Sequence, residues 1–136
     1  MAAPSAKNQQ PWHFVVVRDR SLLVRMETFS PYSKMVGGAQ VAIAVCGDAS
    51  QAPSPYYWAQ DCSAATQNLL IAAHALGLGA VWLGAYPGEE RVDRLRNLLA
   101  LPEHVVPLAV IAIGYPAEDP GPVDRFDQQR IHFDTW

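Results

Sequence analysis

The stretch of residues 61–84 constrains this sequence more than any other part of it. Asp61 can cap a helix by accepting backbone N–H bonds, and neither proline nor glycine follows it before Gly77. Gly77 ends this predicted helix, and the apolar run before Gly84 predicts a short strand. Alanines dominate the helix and leave no continuous polar face, so we expect it to be covered on more than one side. A second copy of the chain can supply that cover, and a central helix within one subunit fits the same pattern.

The composition predicts one ordinary domain spanning residues 1–136, half of whose residues are hydrophobic. A net charge of −3 and the absence of any Lys or Arg cluster disfavour nucleic acid as a partner. Two cysteines are too few for a disulfide framework, and no secretion signal is seen. No apolar run is long enough to cross a bilayer. These features predict a cytoplasmic protein that does not enter a membrane.

Four apolar runs predict buried strands, and the segments between them predict helices. The predicted strands are residues 13–17, 41–46, 80–83 and 105–114. Besides the central helix, amphipathic patterns predict helices at residues 21–29, with Ser21 as the cap, and 89–100. The first strand shows no alternation, which predicts burial on both faces. Strands interleaved with helices predict an α/β or α+β layered fold with helices on both faces of the sheet.

Several kinds of catalytic chemistry lack their sequence pattern. The glycines at 77, 79 and 84 follow a helix, which is the wrong order for a dinucleotide phosphate loop. The four histidines form no zinc-type pair, so no metal site is predicted. Neither a nucleophile elbow nor a phosphate-binding P-loop occurs. Cys46 ends a strand, where nucleophiles do occur, but an inert buried thiol is the commoner case because no base or cation neighbours it in sequence.

Three separate features can bind one flat polar ligand. An N-terminal loop carries neutral donors and acceptors such as Ser5, Asn8 and Gln10, and the turn at Gly84 leaves backbone N–H groups approachable. Arg125, near the end of the chain, can hold a phosphate through two parallel hydrogen bonds. Neutral groups around a ring with a cation at one end suit flavin mononucleotide (FMN), because redox chemistry must come from a cofactor where side chains supply no catalytic set.

At these same positions the chain resembles the nitroreductase family of FMN flavoproteins. The resemblance rests on APSAKNQQPWHFVVV, DCSAATQNLLIAAHALGLGAVWLG and PVDRFDQQRIHFDTW. It implies an α+β fold with a central mixed β-sheet flanked by helices, and a homodimer with two FMN sites at its interface. It also implies that NAD(P)H reduces FMN, which then passes hydride from N5 to a nitroaromatic, a quinone or a similar small aromatic acceptor. We expect bulky changes at Ala65 or Ala72 of the central helix to impair dimerisation.

The resemblance further implies roles for particular residues. Asn8 would hydrogen-bond the flavin ring edge or ribityl chain, a backbone N–H near Gly84 would reach flavin N5, and Arg125 would bind the phosphate. The implied FMN contacts are Pro4, Ser5, Ala6, Asn8, Gln10, Leu83, Gly84, Ala85 and Arg125. Four aromatic residues are the expected determinants of substrate choice, namely Tyr56, Tyr57, Trp58 and Tyr86. For the first three of these, pinning a surface loop to the body is an equal alternative.

One departure from the family pattern opens a second functional hypothesis. Family members normally begin with helices that carry an arginine- and serine-rich motif for the FMN phosphate, and no such motif precedes Pro4. The sequence is therefore expected to be either N-terminally truncated or a piece of a longer protein. The alternative function is a non-catalytic dimeric or ligand-binding module with weak or no FMN binding.

Overall fold

The computed structural model of the protein describes residues 1–48, 50, 57–119 and 121–136. In this part of the chain the strands are β1 (Trp12–Val17), β2 (Val41–Asp48), β3 (Gly79–Gly84) and β4 (Val105–Gly114). The α-helices are α1 (Arg20–Arg25), α2 (Trp58–Ala75) and α3 (Glu89–Leu99). Short 3-10 turns lie at Ala6–Asn8, Met26–Thr28, Lys34–Gly38 and Gln128–Arg130. The predicted strands and helices are all present, with ends that differ by a few residues.

The described strands form one sheet in the order β1-β2-β4-β3. The α+β class is confirmed, but the predicted mixture of parallel and antiparallel strands is not found among them, because all three pairings are antiparallel. The prediction of a first strand buried on both faces is also wrong. β1 lies at one edge of the sheet, and Val16 in it is 54% exposed.

Each face of the sheet is covered by helices, as the sequence predicts. On one face the 20–29 segment and α3 contribute Leu23, Phe29 and Leu95 to a fully buried core against β2 and β4. On the other face Cys62 and Ala65 of α2 pack against the same two strands. The sheet thus lies between α2 and the two shorter helices. None of the helices in the described ranges has the length and apolarity that a bilayer crossing requires.

The start of α1 differs from the prediction. Asp19, not Ser21, is the N-cap, and its Oδ1 accepts the backbone N–H of Leu22 at 2.8 Å. The Ser21 hydroxyl donates to the same carboxylate, and this bond together with the Leu22 N–H lowers the pKa of Asp19. Aspartate wins the capping position because a carboxylate accepts from both groups at once.

The tail after β4 is exposed along most of its length. Its large apolar side chains are largely exposed, and they are Tyr115, Val123, Phe126, Ile131, Phe133 and Trp136. From its apolar residues Ile131, Phe133 and Trp136 the tail is expected to dock on some surface, but within one subunit these side chains stay exposed. What they leave is a strip of apolar surface that is unfavourable in water.

Candidate functional site

The N-terminal loop is held in a strained conformation. Lys7, Asn8 and Gln10 have positive φ angles of 51°, 56° and 52°. Such backbone costs of the order of 1–3 kcal/mol per residue and persists only where surrounding contacts fix it. Here the Gln10 N–H donates to Ser5 Oγ and Gln10 Nε2 donates to Asn8 Oδ1, both at 3.0 Å. Strain in an exposed loop rich in polar side chains is a reason to test this loop for a binding role.

Asp61 ties this loop to α2. Its Oδ1 accepts the Ala6 backbone N–H at 3.0 Å, and the residue is only 9% exposed. The prediction that Asp61 caps the helix is wrong, because α2 begins earlier, at Trp58, and Tyr57 at the cap makes no side-chain bond. The carboxylate therefore serves the loop and not the end of the helix.

The turn after β3 presents an open glycine. Leu83 and Ala85 are 7% and 1% exposed and pack into the core on the α3 side. Because side chains alternate along a strand, position 84 faces the opposite side, as do its neighbours Trp82 and Tyr86. A Cβ atom at Gly84 would meet no atom within 4 Å. Two aromatic side chains thus flank an empty space above Gly84, and Leu83 and Ala85 can touch a ligand there only through their backbone.

Hydrogen bonding singles out one backbone donor in this turn. The N–H groups of Ala85 and Tyr86 both donate to the Leu108 carbonyl, at 2.9 and 3.1 Å. In an antiparallel strand successive N–H groups point to opposite sides, so the Gly84 N–H points away from β4, toward the free edge of β3. The Gly84 carbonyl on that edge accepts from Arg91 Nη1 at 3.3 Å. The Gly84 N–H is consequently the donor that the turn offers to a ligand.

The predicted substrate aromatics occupy different environments. Tyr86 is 44% exposed and lines a cleft of about 480 Å³ together with Gln60, Ser63, Trp82 and others. Tyr57 is 49% exposed at the start of α2. Tyr56 lies outside the described residues, so its role stays a prediction. Trp58 is only 5% exposed and belongs to the core.

Trp58 supports Tyr86 from below. The two rings meet edge to face with centroids 4.8 Å apart and planes at 66°. A Cβ atom at Gly47 would lie 2.3 Å from Trp58 Cε3, so the indole fits only because position 47 is glycine. The burial of Trp58 therefore favours the alternative in which this residue packs against the body of the protein. Trp58 can affect a ligand only by fixing the position of the Tyr86 ring.

Within one subunit the structure brings together two of the three predicted features. The loop reaches the first turns of α2 through Asp61, and the glycine turn reaches them through Trp58 and Tyr86. Arg125 is exposed in the tail, and among the described residues no ion pair joins it to either feature. Sequence reasoning missed the anchoring role of Asp61, the requirement for Gly47 and the contact of Arg91, because each depends on a residue distant in the chain or on the direction of a strand edge.

Both cysteine thiols are inert. Burial raises the pKa of Cys46 and of Cys62 to about 12. The Cys62 thiol also donates to the Cys46 carbonyl at 3.6 Å. A thiol that stays protonated is a poor nucleophile, so the structure supports the inert interpretation of Cys46. Among the described residues, no three His, Cys, Asp or Glu side chains are grouped closely enough to hold a metal ion.

Because of these two buried thiols, we expect the free energy of unfolding to fall at alkaline pH. Unfolded thiols ionise with a pKa of about 8.5, whereas the folded pKa is about 12, so above pH 8.5 the unfolded state binds fewer protons. The thiol contribution to the free energy of unfolding is therefore fully present below about pH 8.5 and is lost as the pH rises toward 12. Urea denaturation at a series of pH values measures it. The double variant Cys46→Ala, Cys62→Ala should show a shallower decline, and an identical slope would contradict the assignment.

The fold, an antiparallel sheet between helical layers, is shared with solved structures of nitroreductases, which defines its class as the nitroreductase type of α+β fold. A crystal structure from Bacteroides thetaiotaomicron, provisionally named NADH dehydrogenase/NAD(P)H nitroreductase, matches with a TM-score of 0.95 at 48% identity, covering 100% of this chain and 79% of that one. A nitroreductase structure from Desulfovibrio desulfuricans, provisionally so named and in complex with FMN, matches with a TM-score of 0.81 at 35% identity, covering 99% and 78%.

Sequence comparison gives the same answer. The model of the nitroreductase family matches residues 30–115. A relative from Methanothermobacter thermautotrophicus, also provisionally named NADH dehydrogenase/NAD(P)H nitroreductase, is 54% identical over 136 residues, which are 100% of this chain and 71% of the relative. The chain belongs to the nitroreductase family.

Proposed function

We propose that this protein is an FMN-dependent oxidoreductase that uses NAD(P)H to reduce a small aromatic acceptor such as a nitroaromatic or a quinone. The family and the names of its relatives support an NAD(P)H oxidoreductase of the nitroreductase type, and the FMN complex of one relative supports the cofactor. The observation that carries the proposal is the position of the Gly84 N–H. It points outward from the free edge of β3, and the space next to Gly84 is open and flanked by aromatic rings.

The residues present fit FMN. The isoalloxazine ring is flat, and the space above Gly84 lies between the side chains of Trp82 and Tyr86. Gln10 donates to Asn8 Oδ1, so the NH2 group of the Asn8 amide is the group left to donate to a ligand. Pro4, Ser5, Ala6, Leu83 and Ala85 are the further contacts proposed, the last two through their backbone.

Bound FMN supplies the redox step, in which two electrons and one proton arrive as hydride from NAD(P)H and leave, with a further proton from water, to the acceptor. The chain supplies binding and orientation. A fixed Gly84 N–H at flavin N5 needs no reorganisation when charge develops there, which is the advantage of a preorganised donor. Tyr57 and Tyr86 are proposed to select flat acceptors, with Tyr56 as a further candidate.

The flavin itself tests the proposal. Purified protein reconstituted with FMN should be yellow, and NAD(P)H under nitrogen should bleach it until a quinone is added. The second candidate, a non-catalytic dimeric module with weak or no FMN binding, is favoured by the position of Arg125, the proposed phosphate ligand, which is exposed in the tail. A protein that stays colourless in an FMN titration would support that second candidate and contradict the first.

We further propose that the protein acts as a cytoplasmic homodimer and that α2 lies at the dimer interface. Ile71 and Leu76 near the C-terminal end of α2 are 58% and 76% exposed, and the tail carries more apolar surface. Burying such side chains is worth about 1.5–3 kcal/mol each, which favours association. Two free cysteines fit a reducing compartment. A second subunit would also bring its own loop, turn and Arg125 into reach.

If α2 lies at the dimer interface, a large charged side chain at position 72 should weaken dimerisation. This residue is exposed on the outer face of α2, whereas Ala65 is 4% exposed and packs in the core of its own subunit. Ala72→Arg is therefore expected to shift the protein toward monomer without unfolding it, and Ala65 is unsuitable for this test. Sedimentation measures the change. Asn97→Arg, at an exposed position of α3, is the matched control, and an intact Ala72→Arg dimer would exclude α2 from the interface.

A further inference from the structure

We propose that Arg91 is a positioning residue of the flavin site, which holds the Gly84 edge in place and puts a fixed positive charge beside flavin N5. This inference rests on the proposed FMN function and goes beyond it. Arg91 is not among the residues that the family resemblance implies. Its Nη1 donates to the Gly84 carbonyl at 3.3 Å, on the free edge of β3.

The position of Arg91 is fixed by the turn that it closes. Its backbone N–H donates to the Gly88 carbonyl at 3.0 Å, and the Gly88 N–H donates to the Ala85 carbonyl at 2.9 Å. A Cβ atom at Gly88 would lie 3.5 Å from Arg91 Cδ, so the side-chain stem runs close over this glycine. The guanidinium group is thus directed back to Gly84 from the first turn of α3, and the turn, the helix and the sheet edge form one closed unit.

The guanidinium and the Gly84 N–H share one side of the strand. In an antiparallel strand the N–H and the C=O of the same residue point in the same direction. A ligand atom that accepts the Gly84 N–H therefore lies near the group bound to the Gly84 carbonyl.

The charge of Arg91 is also not paired. Two other arginines of α3 are paired with carboxylates: Arg94 bonds to Glu90, and Arg96 bonds to Asp93. Among the described residues no carboxylate lies within ion-pair distance of Arg91, and its guanidinium donates to the neutral Gly84 carbonyl. An arginine that is partly buried and unpaired, beside an open backbone donor, favours an electron-rich ligand at this edge.

A positive charge here has a consequence for redox potential. Reduction by two electrons adds negative charge to the flavin ring, and a nearby fixed cation stabilises that form more than the oxidised one. Arg91 should therefore raise the midpoint potential of bound FMN and strengthen the binding of its reduced form. A purely structural arginine would change stability or overall affinity but would leave the difference between the two redox forms unchanged.

The test compares the midpoint potential and the FMN affinity of the wild type with those of Arg91→Gln and Arg91→Lys. Gln keeps a hydrogen-bond donor without charge, and we expect it to weaken the binding of reduced FMN about tenfold relative to oxidised FMN, which for two electrons is about 30 mV. Lys should restore most of the shift. Arg94→Gln, on the same helix, is the control and should leave the potential unchanged.

A second measurement needs no flavin. Hydrogen exchange of the apoprotein should be faster in Arg91→Gln at the bonded amides of Ala85, Tyr86 and Gly88, with β4 unchanged, because the bond from the residue 91 side chain to the Gly84 carbonyl is weakened. A wild-type potential in Arg91→Gln, or unchanged exchange in the turn, would overturn the inference while leaving the FMN function intact. Failure of the wild type to bind FMN would instead contradict the proposed function from which the inference starts.

Discussion

Replacing Trp58 with alanine is expected to lower the free energy of unfolding by about 3–5 kcal/mol, the usual cost of deleting a buried aromatic side chain. Trp58 is 5% exposed, packs against the sheet and supports Tyr86 edge to face at 4.8 Å. The space left over Gly47 would be a cavity, because the indole fills the room where a Cβ atom would otherwise sit. Urea denaturation followed by circular dichroism measures the loss.

The matched control is the neighbouring Tyr57→Ala. Tyr57 is 49% exposed, so its removal should change the free energy of unfolding by about 0.5 kcal/mol or less. If Trp58→Ala proved as mild as Tyr57→Ala, and the KM for a nitroaromatic rose instead, the original prediction of Trp58 as a substrate contact would be supported over the packing role.

Arg125→Ala is expected to weaken FMN binding by about 1.5–3 kcal/mol, or roughly 10- to 150-fold, while the fold stays intact. Such a loss corresponds to a charge-assisted bond to the phosphate. The fold should survive because Arg125 is exposed in the tail and makes no ion pair among the described residues. Titration of the apoprotein with FMN, followed by flavin fluorescence, measures the affinity.

Arg130→Ala provides the comparison within the same tail. Arg130 Nε bonds to Asp127 Oδ2 at 3.0 Å, so its charge is already offset, and its removal should leave the FMN affinity nearly unchanged. Equal effects of the two substitutions would point to the general charge of the tail. An unchanged affinity in Arg125→Ala would remove this residue from the site.

The succession of elements was predictable because each follows a local pattern. The apolar runs of β2 and β4, the uninterrupted alanine-rich helix and the glycine after it all depend on neighbouring residues in the sequence. Strand direction and strand order depend instead on contacts between residues that are distant in the sequence. The edge position of β1 could not be inferred, since a short apolar run looks the same at the edge of a sheet as at its centre.

The candidate site was predictable only where backbone chemistry sufficed. The open turn follows from Gly84, and the amide-rich loop follows from its composition. The bond between Asp61 and the Ala6 N–H joins positions 55 residues apart, and a capping aspartate gives the same local pattern. The three positive φ angles in the loop are likewise invisible in sequence, because none of those residues is glycine.

In the proposed homodimer, the arrangement around α2 would make ligand binding and subunit association reciprocal. One end of this rod is attached to the loop by Asp61 and to the glycine turn by Trp58 and Tyr86, while its outer face carries Ile71 and Ala72. Where a cofactor is contacted by both copies, its binding must tighten the pair by the same factor by which pairing tightens its hold. Dilution would then release flavin, and the measured dissociation constant would depend on the protein concentration at which it was determined.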